Sequence, residues 1–195
     1  MSATRRDLSP GIHHVWVNAT SHWDYFIDDV DRLTWLRLLV KVCARESWTT
    51  LAFCQMTTHV HVVVDVPGAS LADGMRYLNR EYSLDFNGRH GRAGYLVRKR
   101  YGNRRIQDGR DLLGTYAYVV LNPVNAGACS RPEDWRWSSY ATTIGLTSDF
   151  SFVDARIAIA EAGGTIEGLR RLVSARAAEL VEERRVRQLM RDVAR

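Results

Sequence analysis

The sequence predicts an α+β fold: an antiparallel β-sheet with helices packed on one face, followed by a C-terminal helical extension. Three observations lead there. Segments of two-residue alternation and segments of helical spacing follow in the order strand, helix, strand, strand, helix, strand, helix. Two of the strand-like runs are separated only by Thr57-Thr58, which suits a hairpin. The composition, 46% apolar and 25% charged over 195 residues, is that of an ordinary globular chain.

Each element has its own signal. Residues 1–10 read as a polar arm. From Gly11 to Val17, Ile12, His14 and Trp16 alternate with His13, Val15 and Val17, a strand apolar on both faces. Asp28-Asp29 precede Leu33, Leu36, Leu39, Val40 and Cys43, which recur at helical spacing. Thr49 to Met56 and His59 to Val66 form the candidate hairpin, which Pro67-Gly68 ends. Ser70 can cap a helix from Leu71 to Phe86. A glycine-rich loop follows, with a short strand near Asn103–Ile106. Asp108 or Asp111 starts a helix through Leu121, which Pro123 interrupts or ends. The aromatic run Trp135 to Tyr140 closes the globular part, giving a domain over 8–146. The remainder, 147–195, reads as an arginine-rich helical extension.

Composition excludes several classes. No apolar run reaches the roughly 18–20 residues that cross a bilayer, so no membrane span is expected. The opening residues turn polar where a secretion signal needs an apolar stretch. Cys43, Cys54 and Cys129 are odd in number and far apart, which argues against a disulfide scaffold or zinc finger and for a reducing cytoplasm. The chain carries 27 basic against 22 acidic residues, and only Lys41 and Lys99 are lysines. Arginine suits bidentate phosphate contact, although a GC-rich genome also raises its share. The placement is more telling. Arg89, Arg92, Arg98, Lys99, Arg100, Arg104 and Arg105 share a stretch with no acidic residue, the pattern of a nucleic-acid-binding loop.

Two spacings carry chemistry. In His59-Val60-His61, strand alternation puts both imidazoles on one face, their Cα atoms about 7 Å apart. Two such rings can share a divalent metal, and Val60, Val62 and Val64 then face the core. An isolated pair of this kind also suits half-buried histidines bonded to backbone. On the next predicted helix, Tyr118 and Asn122 stand at i and i+4 and share a face, with Gly114 one turn earlier leaving room beside the ring. Taken alone, that tyrosine also suits plain packing.

Together these pieces resemble a known family. The motifs Asp29-Val30-Asp31-Arg32-Leu33, Met56-Thr57-Thr58-His59-Val60-His61, Leu78-Asn79-Arg80-Glu81-Tyr82, Arg89-His90-Gly91-Arg92, Leu121-Asn122-Pro123-Val124-Asn125-Ala126-Gly127 and Asp134-Trp135-Arg136-Trp137-Ser138-Ser139-Tyr140 run in unbroken order over about residues 8–145. In this order they are similar to the single-tyrosine HUH transposases, within these to the REP-associated, IS200-like branch. The sequence departs from that pattern in Thr57-Thr58, where Pro-Asn is usual, in Asn125, where a basic residue is usual, and in Lys99, where glycine is usual.

The resemblance implies a ferredoxin- or RRM-like HUH fold and a metal-dependent endonuclease and strand transferase acting on single-stranded DNA at hairpins. It implies Tyr118 as nucleophile, with Tyr116 the lesser candidate, and His59, His61 and Asn122 as metal ligands. Mg²⁺ or Mn²⁺ suits such mixed donors, and zinc accepts them too. The implied product is a 5′-phosphotyrosine with a free 3′-OH. His90, Tyr95 and Tyr101 are candidates for stacking on unpaired bases. A bacterial, cytoplasmic, nucleoid-associated protein is expected, as monomer or homodimer. The alternative is a domesticated hairpin-binding protein on the same scaffold that does not cleave.

Overall fold

The computed structural model describes residues 8–20, 23–97 and 100–193. Four strands form one antiparallel sheet in the order β2-β3-β1-β4: β1 Gly11–Asn18, β2 Thr49–Gln55, β3 His59–Val66 and β4 Gly102–Arg105. Residues paired across an antiparallel ladder share a face. Val15 pairs with Val62 and Val17 with Val60, which puts these valines on one side. Trp16 pairs with His61, and His14 with both Val63 and Arg104, on the other side.

The valine side is covered by α1 (Asp29–Glu46) and α2 (Leu71–Arg89), with Trp35, Leu39, Met75, Leu78 and Tyr82 in the shared core. Each large apolar side chain buried here contributes about 1.5–3 kcal/mol relative to exposure. The expected one-sided covering describes these two helices. The opposite face is not bare, because Leu51, Cys54 and Val63 present apolar surface there too. α3 (Gly109–Val120) packs over them through Tyr116, Ala117 and Val120.

Local chemistry explains the helix ends. Asp28 caps α1 by accepting from the Asp31 N–H at 2.9 Å, and Asp31 returns a bond from the Asp28 N–H at 3.3 Å. Ser70 does not cap α2 as the sequence suggests. Its hydroxyl instead accepts from Trp48 Nε1 at 2.9 Å. Asp108 caps α3 through the Asp111 N–H at 2.8 Å. Pro123 cannot continue that ladder, so the chain turns at Leu121 into α4 (Asn122–Asn125).

The aromatic segment then closes the sheet. Trp135 Nε1 donates to the Gln55 carbonyl at 3.0 Å, and the Gln55 N–H donates to the Trp137 carbonyl at 2.9 Å. The Arg32 guanidinium lies 5.0 Å from the Phe26 ring and 5.4 Å from that of Trp137. α5 (Tyr140–Thr143), α6 (Arg156–Glu161) and α7 (Ile166–Val193) follow. Ala158, Leu169 and Val173 pack into the α3 core, and Arg184 of α7 donates to the Val124 carbonyl at 2.6 Å. Among the described residues no helix is long and apolar enough to cross a membrane.

At Gly74, α2 lies close against Trp48, just beyond α1, and Val42 of α1. A Cβ there would lie 2.5 Å from two ring carbons of Trp48 and 3.0 Å from Val42. In an open helix Gly→Ala gains up to about 1 kcal/mol. Here the indole is pinned by Ser70, so overpacking reverses the sign. Gly74→Ala is expected to destabilise by about 1–3 kcal/mol, read as a lower urea midpoint. A raised midpoint would show that Trp48 moves aside freely.

Candidate active site

The β3 histidines converge. His59 and His61 lie 5.1 Å apart between ring centroids, with planes at 82°. Nε2 of His59 sits 3.1 Å from Oδ1 of Asn122, and Nδ1 of His59 is 3.1 Å from the Thr58 hydroxyl. Nδ1 of His61 faces Nε2 of His14, on the neighbouring strand, at 2.9 Å. Burial lowers the pKa of all three rings, that of His61 to about 3 and that of His14 to about 4. For His61 the neighbouring His14 and His59 add to the effect, and for His14 Arg104 does so. The rings are therefore neutral near pH 7, each with one bare nitrogen. In His59 the proton sits on Nε2, which donates to Asn122 Oδ1, and a metal ion between the two would take that proton's place.

α3 brings the tyrosine. Asp111, Thr115, Tyr118 and Asn122 recur at i, i+4, i+7 and i+11, so one stripe faces the sheet even though Asn122 lies beyond the helix end. The Tyr118 ring stands edge-on to His61 at 5.4 Å and to His14 at 5.8 Å. Tyr118 is 48% exposed, whereas Tyr116 is fully buried in the second core. Burial also raises the Tyr116 phenol pKa, so that side chain has neither access nor an easily lost proton. Between sheet and helix lies a cleft of about 700 Å³, lined by both histidines, His14, Trp16, Arg104, Arg110 and Tyr118 among others. Gly114 also lines it, and a side chain there would meet no neighbour, so its absence keeps the cleft open. Gly102 has the opposite reason. A Cβ on it would come within 2.2 Å of the Trp16 indole, so only glycine lets that ring lie against β4 as a cleft wall.

The donor set suits a divalent ion. Two ligand atoms about 2.1 Å from one ion and at right angles are about 3 Å apart. The 3.1 Å separation of His59 Nε2 and Asn122 Oδ1 matches that spacing. A second cluster, Asp28, Asp31 and His90, also brings three possible ligands together. It holds a cation already, since Arg89 pairs with both carboxylates.

That pairing changes the picture of the basic loop. The stretch 89–105 has no acid of its own, but the fold supplies acids from afar. Arg89 is taken by Asp28 and Asp31, away from the cleft. Arg104 faces the cleft, fixed by Asp111 at 2.6 Å and the Thr115 hydroxyl at 2.7 Å. Arg105 donates to the Pro10 carbonyl at 3.2 Å, and Arg92 lies 3.8 Å over the Trp23 ring. Arg100 is exposed, while Arg98 and Lys99 lie outside the described residues. Of the three stacking candidates, Tyr95 is 91% exposed, Tyr101 is buried in the first core, and His90 is bonded to Asp31 at 3.0 Å.

A protein of Haemophilus influenzae that carries the provisional name REP-associated tyrosine transposase is 23% identical over 111 residues. That match covers 51% of this chain and 63% of the relative, so the chain spans under two thirds of that protein's length. A solved structure of a REP-associated tyrosine transposase bound to a REP hairpin superposes with a TM-score of 0.64 at 18% identity. The superposition covers 75% of this chain and 88% of the other. The relative in sequence and the neighbour in fold carry the same family name, REP-associated tyrosine transposase. The resemblance drawn from the motifs is borne out at that level, and so is the α+β class. No family model matches the chain.

Beside His59, His61 and Tyr118 the cleft holds residues with weaker signals in the sequence. His14 and Trp16 were visible only as one half of an alternating strand, with no sign of which half faced the site. Arg110 also lines the cleft. Its only signal is its position, one residue before Asp111 at the start of the tyrosine helix.

Proposed function

We propose that this protein is a metal-dependent single-stranded DNA endonuclease and strand transferase that works at or near DNA hairpins. One observation supports this above the others: two distant chain segments bring the imidazole pair and a half-exposed tyrosine to one open cleft, with the Asn122 amide oxygen against His59. A plain packing role for Tyr118 leaves that exposure unexplained.

In this reading Tyr118 attacks a DNA phosphorus. The tyrosine oxygen–phosphorus bond forms and the bond from phosphorus to the 3′-oxygen breaks. The phenol proton goes to solvent, and the departing 3′-oxygen takes one up. The product is a 5′-phosphotyrosine and a free 3′-OH, and the retained ester energy lets another 3′-OH rejoin strands without ATP. His59, His61 and Asn122 would hold Mg²⁺ or Mn²⁺, which when bound offsets charge at the reacting phosphate. Arg104 and Arg110 flank the same cleft and serve the strand's phosphates. Arg92, Arg98, Lys99, Arg100 and Arg105 extend that contact along the loop, and Arg89 supports it from its ion pairs. The partner is single-stranded or hairpin DNA at the bacterial nucleoid in the cytoplasm, met by a monomer or homodimer.

The test uses oligonucleotides with a hairpin flanked by randomised single strand, labelled at the 3′ end, with Mn²⁺ and denaturing electrophoresis. A labelled band that migrates with the protein after denaturation is expected. A second, 5′-labelled substrate should release a fragment that a polymerase can extend. Salt-sensitive hairpin binding with no covalent band under Mg²⁺ or Mn²⁺ would establish the non-cleaving reading instead.

A further inference from the structure

A neutral imidazole carries one proton on two nitrogens, and only the bare one can ligate a metal. The bond made by the other nitrogen therefore decides whether a histidine is ready to bind. His61 makes one such bond, from Nδ1 to His14 Nε2 at 2.9 Å. Its Nε2 has no protein partner among the described residues. If His14 accepts, His61 carries its proton on Nδ1 and leaves Nε2 bare. If His14 donates, the lone pair of His61 is spent on His14 and Nε2 is blocked by its proton.

The surroundings hold His14 firmly. Its ring meets that of His61 edge to edge, centroids 5.1 Å apart and planes inclined at 29°, and lies 5.1 Å from Trp16 on its own strand. Trp16 in turn lies against Gly102. Only 7% of His14 is exposed. An apolar side chain would fill that space without the burden of buried nitrogens, so the polar ring suits a task beyond packing. If His14 Nε2 accepts from His61, the one proton of its neutral ring sits on Nδ1, and neither nitrogen is left to ligate a metal.

We propose that His14 is a positioning residue for His61, accepting the Nδ1 proton so that Nε2 stays bare toward the cleft. The inference rests on the metal role of His61 argued above. It also adds a claim that can be checked without any metal.

The first measurement is ¹⁵N NMR of histidine ring nitrogens in the metal-free protein. His61 should show a protonated Nδ1 and a bare Nε2. A protonated Nε2 in the wild type overturns the proposal. The second is Mn²⁺ titration followed by electron paramagnetic resonance. His14→Phe keeps the ring and removes the acceptor, and should weaken Mn²⁺ binding about 10–100-fold. His14→Gln restores an acceptor and should recover part of the loss. Unchanged Mn²⁺ affinity and unchanged His61 ring shifts in His14→Phe would also overturn the proposal. If His14→Phe fails to fold, the wild-type tautomer and His14→Gln still decide it. Absence of Mn²⁺ binding in the wild type would count against the metal reading, while the tautomer spectrum would judge His14 separately.

Discussion

Tyr118→Phe is expected to abolish covalent capture of DNA while hairpin binding stays within about threefold of wild type. The variant removes one oxygen from a ring that is already half exposed, so no packing is lost. Without that oxygen no phosphotyrosine can form, and adduct should fall by at least about 10³-fold, about 4 kcal/mol in barrier height. Tyr116→Phe is the matched control. It alters a phenol two residues away that is sealed in the second core, and adduct formation should persist. Denaturing gels with 3′-labelled hairpin substrate read both variants, and a filter assay reads binding. Cleavage undiminished in Tyr118→Phe would remove Tyr118 from its proposed role. The opposite pattern, loss in Tyr116→Phe alone, would mean that α3 turns about its axis before reaction.

What the sequence disclosed about this site follows the range of each signal. The shared face of His59 and His61 is a local consequence of strand geometry, and that of Tyr118 and Asn122 a local consequence of helix geometry. Both could be read with no knowledge of the fold. That the two pairs meet could not, since His59 and Asn122 are 63 positions apart. The family resemblance supplied that step. His14 stayed hidden because its partner is 47 positions away and strand register decides the meeting. The pairing of Arg89 in the basic loop stayed hidden for the same reason. Counting acids along the chain found none, yet Asp28 and Asp31 return from about 60 positions away to neutralise Arg89. Ser70 shows the limit of local rules even at short range. A serine before a helix reads as a cap, but Trp48 offers a competing donor that only packing brings near. The second helical layer was missed because strands apolar on both faces admit either one covered face or two.

The metal ligands should be lost as a unit. EDTA is expected to stop adduct formation, and excess Mn²⁺ or Mg²⁺ to restore it, with hairpin binding retained throughout. His59→Ala and His61→Ala should each lower adduct formation by about 10²–10³-fold. The double variant should be little worse than either single one. Groups that act only together give losses that do not add, so a second deletion removes nothing further. The folded state gives the contrast. Nε2 of His59 bonds to Asn122, but neither ring supports the main cores, which are built from valines, leucines and aromatics. Chelation should therefore leave the thermal midpoint within a few degrees of that in Mn²⁺. Unfolding on chelation would identify a structural ion instead, because the energy of such an ion is folding energy. Fully multiplicative losses in the double variant would show that the two histidines act on separate steps. In that case the 5.1 Å approach of their rings would reflect packing rather than a common ion.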